Sequence, residues 1–242
     1  MADSLSISMF TVRTFLPLVM LVGEWVSCAS MGVRDNSKLL ASKSSIKDSD
    51  NSLPTGYVSR LAARKFDDEN SRPSSRFYTT RKDEQKEGIW LSKAGIRGDY
   101  NHYRTITLKG IPDRAVSLLT TDTMDLLRSY GYQAMDGDLG ENILLDKVSY
   151  SFFEPGKQYR LKCRENEVVL EITEPVIPCA NLCKLPYIND DSKTPKERIK
   201  ECQGFISILA SKPGLRGWYA KVIKEGAIVP ESVLTPVLSD FG

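Results

Sequence analysis

Residues Tyr159-Arg160-Leu161-Lys162-Cys163 alternate apolar and polar side chains, Arg164–Asn166 turn, and Val168-Val169-Leu170-Glu171-Ile172 run back. Period-two alternation on both sides of a short polar turn specifies a β-hairpin, which constrains the fold more than any other stretch. Further strands are predicted at Gly88–Leu91, Thr105–Leu108, Ala115–Leu119, Ile143–Leu145 and Trp218–Ile223, with Ile228-Val229-Pro230 after a Glu225-Gly226 turn. Glycine and proline turns such as Gly95–Asp99, Gly110–Asp113 and Glu154–Lys157 separate them. Two helices are expected. One has Thr121 as N-cap and Gly131 past its end, with Met124 and Leu127 packing in the core. The other opens at Thr194-Pro195 and ends at Pro213-Gly214, with an apolar stripe of Ile199, Cys202, Ile206 and Leu209. Many short strands, two helices and no internal repeat predict a mainly-β, barrel-like domain.

The chain has 242 residues, 41% hydrophobic and 26% charged, which suffices for one domain with a core plus extensions. A formal charge of +2 is too slight to argue for nucleic acid or an anionic membrane as partner, and neither is expected. No run approaches the roughly 18 apolar residues of a membrane span. Residues 1–30 read as a targeting leader: Arg13 precedes an apolar run from Phe15 to Val26, followed by Ser27-Cys28-Ala29. Residues 31–85 are rich in Ser, Lys, Arg and Asp and are expected to be disordered, because they bury too little apolar surface to offset their ordering entropy. This leaves 86–242 as the folded domain. Such an address suits an organelle or the secretory route, a plastid included; a mitochondrial or cytoplasmic location is the alternative.

Chemistry concentrates between Asp136 and Cys183, where Gly137-Asp138-Leu139-Gly140-Glu141-Asn142 precedes the hairpin and Cys179 and Cys183 follow it. Glycines at 137 and 140 allow backbone N–H groups to face an anion. Of the five cysteines, Cys163 shares a strand face with Tyr159 and Leu161 and is expected to be buried, and Cys202 falls on a helix stripe. For Cys179 and Cys183 four readings stay open: structural thiols, a disulfide, a zinc site with Cys202 and His102, or a ligand for a softer metal. Spacing alone favours structural thiols.

The order Gly98-Asp99, Arg114–Leu119, Gly137–Asn142, Glu154-Pro155-Gly156, Val169–Thr173, Pro178-Cys179 and Gly217-Trp218-Tyr219-Ala220-Lys221-Val222 resembles the MOSC domain family. That family takes its name from the C-terminal domain of molybdenum-cofactor sulfurase and also occurs as standalone proteins. The resemblance spans roughly residues 88–232. It implies a β-barrel-like fold that binds the molybdenum cofactor (molybdopterin), a pterin dithiolene with a phosphate. It also implies that Cys179 is the thiolate on the metal in members that reduce N-hydroxylated compounds. For the cofactor's phosphate and pterin the candidates are Arg97, His102, Arg104, Lys109 and Arg114, with Arg104 and Arg114 ranked first for their phosphate-matched forks. Gly140 and Asn142 are expected to shape the pocket wall, Glu141 to orient a donor, and Cys183 to stand beside the cofactor. The stretch 189–200 is longer than in compact relatives and is read as a lid. These residues include no aminotransferase-like portion, so desulfurase activity and pyridoxal phosphate, attached to the family through full-length sulfurases, are not expected.

Two function classes follow. One is an oxidoreductase acting on a small N-hydroxylated substrate, with an external electron-donor protein because no flavin, haem or iron–sulfur signature is present. The other is a carrier of cofactor or sulfur, receiving sulfur from a donor as a persulfide on Cys179 or Cys183. A third possibility is a non-catalytic structural protein with a Cys179–Cys183 disulfide, which an oxidising lumen would favour.

Overall fold

Residues 55–64, 81–101, 104 and 107–238 are described in a computed structural model. Their centre is a closed β-barrel. The strands, in chain order, are β1 (Gly56–Ala63), β2 (Asp83–Glu84), β3 (Ile89–Ser92), β4 (Gly95–Ile96), β5 (Val116–Thr120), β6 (Ile143–Asp146), β7 (Gln158–Cys163), β8 (Asn166–Pro175), β9 (Trp218–Lys224), β10 (Gly226–Ile228) and β11 (Val233–Pro236). The hydrogen-bonded order β11-β7-β8-β9-β5-β6-β1 returns to its start through pairing of β1 with β11. Closure leaves no exposed ladder edge in the ring. The β5–β6 pair is parallel and the other ring pairs are antiparallel.

The predicted hairpin is β7–β8, with Tyr159 opposite Leu170 and Leu161 opposite Val168. Tyr159, Leu161, Val168, Leu170 and Ile172 point inward, and Arg160, Glu167 and Glu171 face out, where Arg160–Glu167 and Lys221–Glu171 form ion pairs. The barrel core continues through Leu61, Leu118, Ile143, Leu145, Trp218 and Leu234. The small sheet β10-β3-β4 adds Ile89, Leu91, Ile96 and Ile228 to the same core.

A helical layer packs on the barrel. Helix α1 (Thr121–Ser129) and helix α2 (Pro195–Ala210) enclose a second core of Leu119, Met124, Leu127, Leu139, Leu144, Leu182, Phe205 and Leu209. The first begins one residue earlier than expected. Thr120 is its N-cap, and the Thr120 hydroxyl donates to the Asp122 carboxylate rather than accepting from the backbone. The second starts with the predicted Thr194-Pro195 and a full capping box, in which Glu197 N–H donates to Thr194 Oγ1 and Thr194 N–H to the Glu197 carboxylate. Among the described residues no helix is long and apolar enough to cross a membrane.

Several expectations change. Residues 31–85 are not all linker: Gly56–Ala63 is the strand that closes the barrel, and Asp83–Glu84 extends it. The folded part therefore begins near residue 55, well before the predicted 86. Leu61, Ala62 and Ala63 are buried because partners arrive from residues far downstream, which local composition does not reveal. Thr107 and Leu108 lie in no strand, while Thr105 and Ile106 lie outside the described residues. Ile199 is 60% exposed, so the stripe on α2 begins later, and Phe205 with Leu209 carries its burial. Cys163 is half-buried at the hairpin end instead of fully buried. Residues 1–54, the expected leader among them, also lie outside the described residues.

Leu61 is fully buried on the closing strand. Leu61→Ala should lower the unfolding free energy by about 2–5 kcal/mol in urea denaturation. A loss below about 1 kcal/mol would show that β1 contributes little to the barrel.

Candidate functional site

On β9 the buried Trp218 and Ala220 flank Tyr219, which therefore faces away from the barrel interior. Its sheet neighbours are Ser117 of β5 and Glu174 of β8. Over this patch lies a cleft of about 440 Å³, within the usual range for small-molecule sites. Its walls are Ser117 and Tyr219, the run Pro175–Cys179 after β8, the Leu139-Gly140 turn, Tyr100-Asn101, and the cations Arg64, Lys82, Arg114 and Arg216. No carboxylate lines the cleft among the described residues.

Cys179 stands exposed on this wall as the N-cap of a short 3₁₀ turn, Ala180–Lys184. Leu182 N–H donates to the Cys179 carbonyl at 3.1 Å, which fixes the residue's backbone to the turn. Arg216 and Tyr219 lie within electrostatic range of the thiol.

Arg216 is the most buried of the cleft arginines at 8% exposure. One Nη donates to the Leu139 carbonyl, and its buried Nε has no hydrogen-bond partner. Burial pulls its guanidinium below the ordinary arginine range, opposed by Tyr219, Glu141 and Cys179. A buried cation with an unmet donor beside a cleft is a natural receptor for an anion. The following Gly217 lets the chain place it there: its φ is +107°, and a Cβ would run into the Leu118 carbonyl.

Tyr219 is held above the ordinary phenol range by burial, against the opposing charges of Arg216 and Arg114. Its hydroxyl therefore stays protonated. Arg114 sits 5.1 Å above the Tyr219 ring and pairs with Glu174 at 2.5 Å, so part of its charge is already answered.

Beneath the wall runs a buried polar network. Asp99 accepts from Arg64 N–H at 2.7 Å, Lys82 Nζ at 3.0 Å and Asn142 Nδ2 at 3.1 Å. The Asn142 amide also donates to the Ala62 carbonyl at 3.0 Å, and its oxygen accepts from the Ser117 hydroxyl at 3.0 Å. Glu141 accepts from Arg60 at 3.1 Å, and desolvation raises its carboxyl above the usual range despite Arg60 and Arg216 nearby. Gly137 leaves room for the Arg60 guanidinium, which a Cβ there would meet at 2.9 Å.

Of the residues singled out from sequence, Cys179, Arg114 and Gly140 meet at the cleft. Asn142 and Glu141 lie below its wall and act as clasps for the scaffold. Arg97 stacks on Trp90 at 5.1 Å, Arg104 donates to the Ala94 carbonyl at 2.5 Å, and Lys109 is exposed; none of the three lines the cleft. His102 lies outside the described residues. Cys183 is bonded to Cys202, which removes both the Cys179–Cys183 disulfide and the zinc site that needed both thiolates. No group of three His, Cys, Asp or Glu that could hold a metal ion occurs among the described residues. None of residues 189–200, read as a lid, lines the cleft. Sequence reasoning passed over Arg64, Lys82, Arg216 and Tyr219. Arg64 and Lys82 fell in the supposed linker. Arg216 was legible as a cation immediately before the Gly217-Trp218-Tyr219 strand.

The Lys82–Asp99 pair is desolvated on both sides, with side-chain exposures of 7% and 9%. Asp99→Ala leaves Lys82 buried without its carboxylate and should cost about 3–5 kcal/mol at neutral pH. Burial already holds Lys82 below the ordinary lysine range. The folded state thus binds this proton more weakly than the unfolded chain, and stability tied to the group rises as pH climbs from the folded value toward the unfolded one. The deficit of the variant should therefore shrink in urea titrations at alkaline pH. A deficit independent of pH would contradict the assignment.

The sequence model of the MOSC domain matches residues 105–235, more than half of the chain. No curated protein matches the sequence. Among solved structures, the YuaD protein from Bacillus subtilis aligns with a TM-score of 0.55 at 13% identity, over 76% of this chain and 97% of that one. YiiM from Geobacillus stearothermophilus aligns at 0.49 with 18% identity, covering 78% of each chain. YiiM from Escherichia coli aligns at 0.45 with 17% identity, over 77% of this chain and 70% of that one. The YuaD likeness supports the barrel fold. With the domain match over residues 105–235, the chain belongs to the MOSC domain family.

Proposed function

We propose that the cleft holds the molybdenum cofactor, with the Cys179 thiolate as the protein's ligand to the metal, and that the protein reduces N-hydroxylated compounds. The observation that carries this reading is the exposed Cys179 thiol on a cleft of about 440 Å³ whose described lining holds cations and no carboxylate. The residues fit the group. A single soft thiolate suits a molybdenum ion that arrives with its own dithiolene sulfurs, and the chain needs no further metal ligands of its own. The phosphate calls for charged donors, which Arg216 offers through its buried, unmet Nε and the partly exposed Arg114 through its fork. The association of the family with this cofactor points the same way.

The bound cofactor supplies two-electron redox chemistry at its metal. The chain's own residues orient and protonate. Arg216 sets a positive potential that would draw the anionic cofactor and keeps the thiol of Cys179 near positive charge. Tyr219 lines the cleft within electrostatic range of Cys179, and its Oη, kept protonated by burial, is the hydroxyl the chain would offer to a bound substrate. Loss of an N-bound hydroxyl as water requires two electrons and two protons. The electrons come from an external donor protein, and Tyr219 Oη and water carry the protons. The substrate is a small N-hydroxylated base or amidoxime.

Exposure of Cys179 also supports a second reading, in which the protein carries sulfur or cofactor with a persulfide on this residue and no turnover of its own. A labile sulfur adduct on Cys179 found by mass spectrometry, without reductase turnover, would favour it.

Cys179→Ala should abolish molybdenum retention through gel filtration, read by elemental analysis, while circular dichroism stays unchanged. Arg216→Gln should weaken retention about ten- to a hundredfold through loss of a charge-assisted anchor. Full retention by Cys179→Ala would remove the ligand assignment.

A further inference from the structure

The turn Ala180–Lys184 presents two sulfur atoms in different states. Cys179 at its start is an exposed thiol on the cleft, and Cys183 near its end is bonded to Cys202 of α2. The bond spans 19 positions of sequence, and the segment it closes includes the largely exposed run 189–200. Apart from the bond, the turn is held by burial of Leu182 and Leu185 against Phe205 and Leu209. One covalent link thus ties the turn that follows the cleft thiol to the helical layer.

This link is within reach of solvent. Cys183 and Cys202 are both half-buried and form part of a groove of about 420 Å³ with Asn189, Pro195, Arg198, Ile199 and Gln203. Ile199 is 60% exposed at its side, an apolar contact with no partner in the helical core. Arg198 precedes Cys202 by one helical turn, pairs with the 96%-exposed Asp191, and brings a positive charge beside the bond. Disulfides resist exchange when sealed in a core and undergo it when a thiolate can approach along the bond and the leaving sulfur meets a cation. A proline, an exposed isoleucine and an arginine around a reachable disulfide provide that combination.

We propose that this groove docks a dithiol oxidoreductase, and that exchange at Cys183–Cys202 controls how firmly Cys179 is presented to the cleft. The inference rests on the reading of Cys179 as the working thiol. A partner thiolate attacks Sγ of Cys183, the Cys183–Cys202 bond breaks, and Cys202 leaves as a thiolate beside Arg198. The partner's second thiolate then attacks its own sulfur in the mixed disulfide and releases Cys183. Two electrons pass from the partner dithiol, which ends as a disulfide, and the two released thiolates take protons from water. With the bond open, the turn 180–184 keeps its apolar anchors and loses its covalent one. The oxidised chain then holds the metal ligand in place, and the reduced chain presents it loosely.

The test uses the full chain, loaded with molybdenum cofactor, in three arms. First, a bacterial dithiol oxidoreductase is added under native conditions, and thiols are labelled and located by mass spectrometry. Labels on Cys183 and Cys202 are expected without unfolding; a bond that opens only in denaturant overturns the proposal. Second, amide hydrogen exchange is compared between the oxidised chain, the reduced chain and the Cys183→Ser/Cys202→Ser variant. Exchange in 180–185 should rise several-fold in the last two while β8 and β9 stay unchanged; equal exchange overturns the proposal. Third, molybdenum retention is expected to fall several-fold on reduction, and unchanged retention would overturn the control of Cys179. Retention that survives Cys179→Ala would sink the ligand reading instead, with the first two arms still reporting on the exchange site.

Discussion

Asn142 is the contact on which the site depends. Its buried carboxamide reaches the Ala62 carbonyl on β1, the Ser117 hydroxyl on β5 and the Asp99 carboxylate, three segments distant in sequence. Two of these neighbours then position cleft residues. Ser117 lies beside Tyr219 across the β5–β9 ladder, and Asp99 holds Lys82 and the backbone of Arg64. A carboxamide suits this role because it donates and accepts at once, so all its capacity is spent without a net charge in the core. The polar network is costly to break and gives one arrangement of the cleft wall.

The charges divide into those that hold the fold and those that face the cleft. Arg60 answers Glu141, Lys82 answers Asp99, and Arg114 is half answered by Glu174. Arg216 has a carbonyl contact but an unmet Nε, and it lies beside the Cys179 thiol and the Tyr219 hydroxyl. Positive potential is thereby concentrated where an anionic cofactor would sit. A disulfide behind Cys179 adds a second lever on the same residue, through the turn that both cysteines share.

Legibility in the sequence follows the range of the interactions. The β7–β8 hairpin was readable because its alternation is local, and the capping box of α2 because Thr194 and Glu197 are three residues apart. Strand β1 escaped because its apolar residues are few and lie in polar surroundings; only pairing with β6 and β11 buries Leu61. The Cys183–Cys202 bond escaped because it depends on how α2 packs over the 3₁₀ turn, while linear spacing favoured structural thiols and offered Cys179–Cys183 as the alternative disulfide. Arg97 and Arg104 were reasonable anion ligands by type, yet Trp90 and the Ala94 carbonyl engage them elsewhere. Order of motifs pointed to Cys179 where periodicity did not, and the structure adds that its side chain is exposed on the cleft.

The proposed roles of Cys179, Arg216 and Tyr219 all require the cleft to be a molybdenum-cofactor site. The most direct measurement is elemental and pterin analysis of the chain purified from a host that makes the cofactor. Molybdenum and molybdopterin should co-purify in near-equal amounts, approaching one of each per chain. A folded chain from that host carrying neither would contradict the claim.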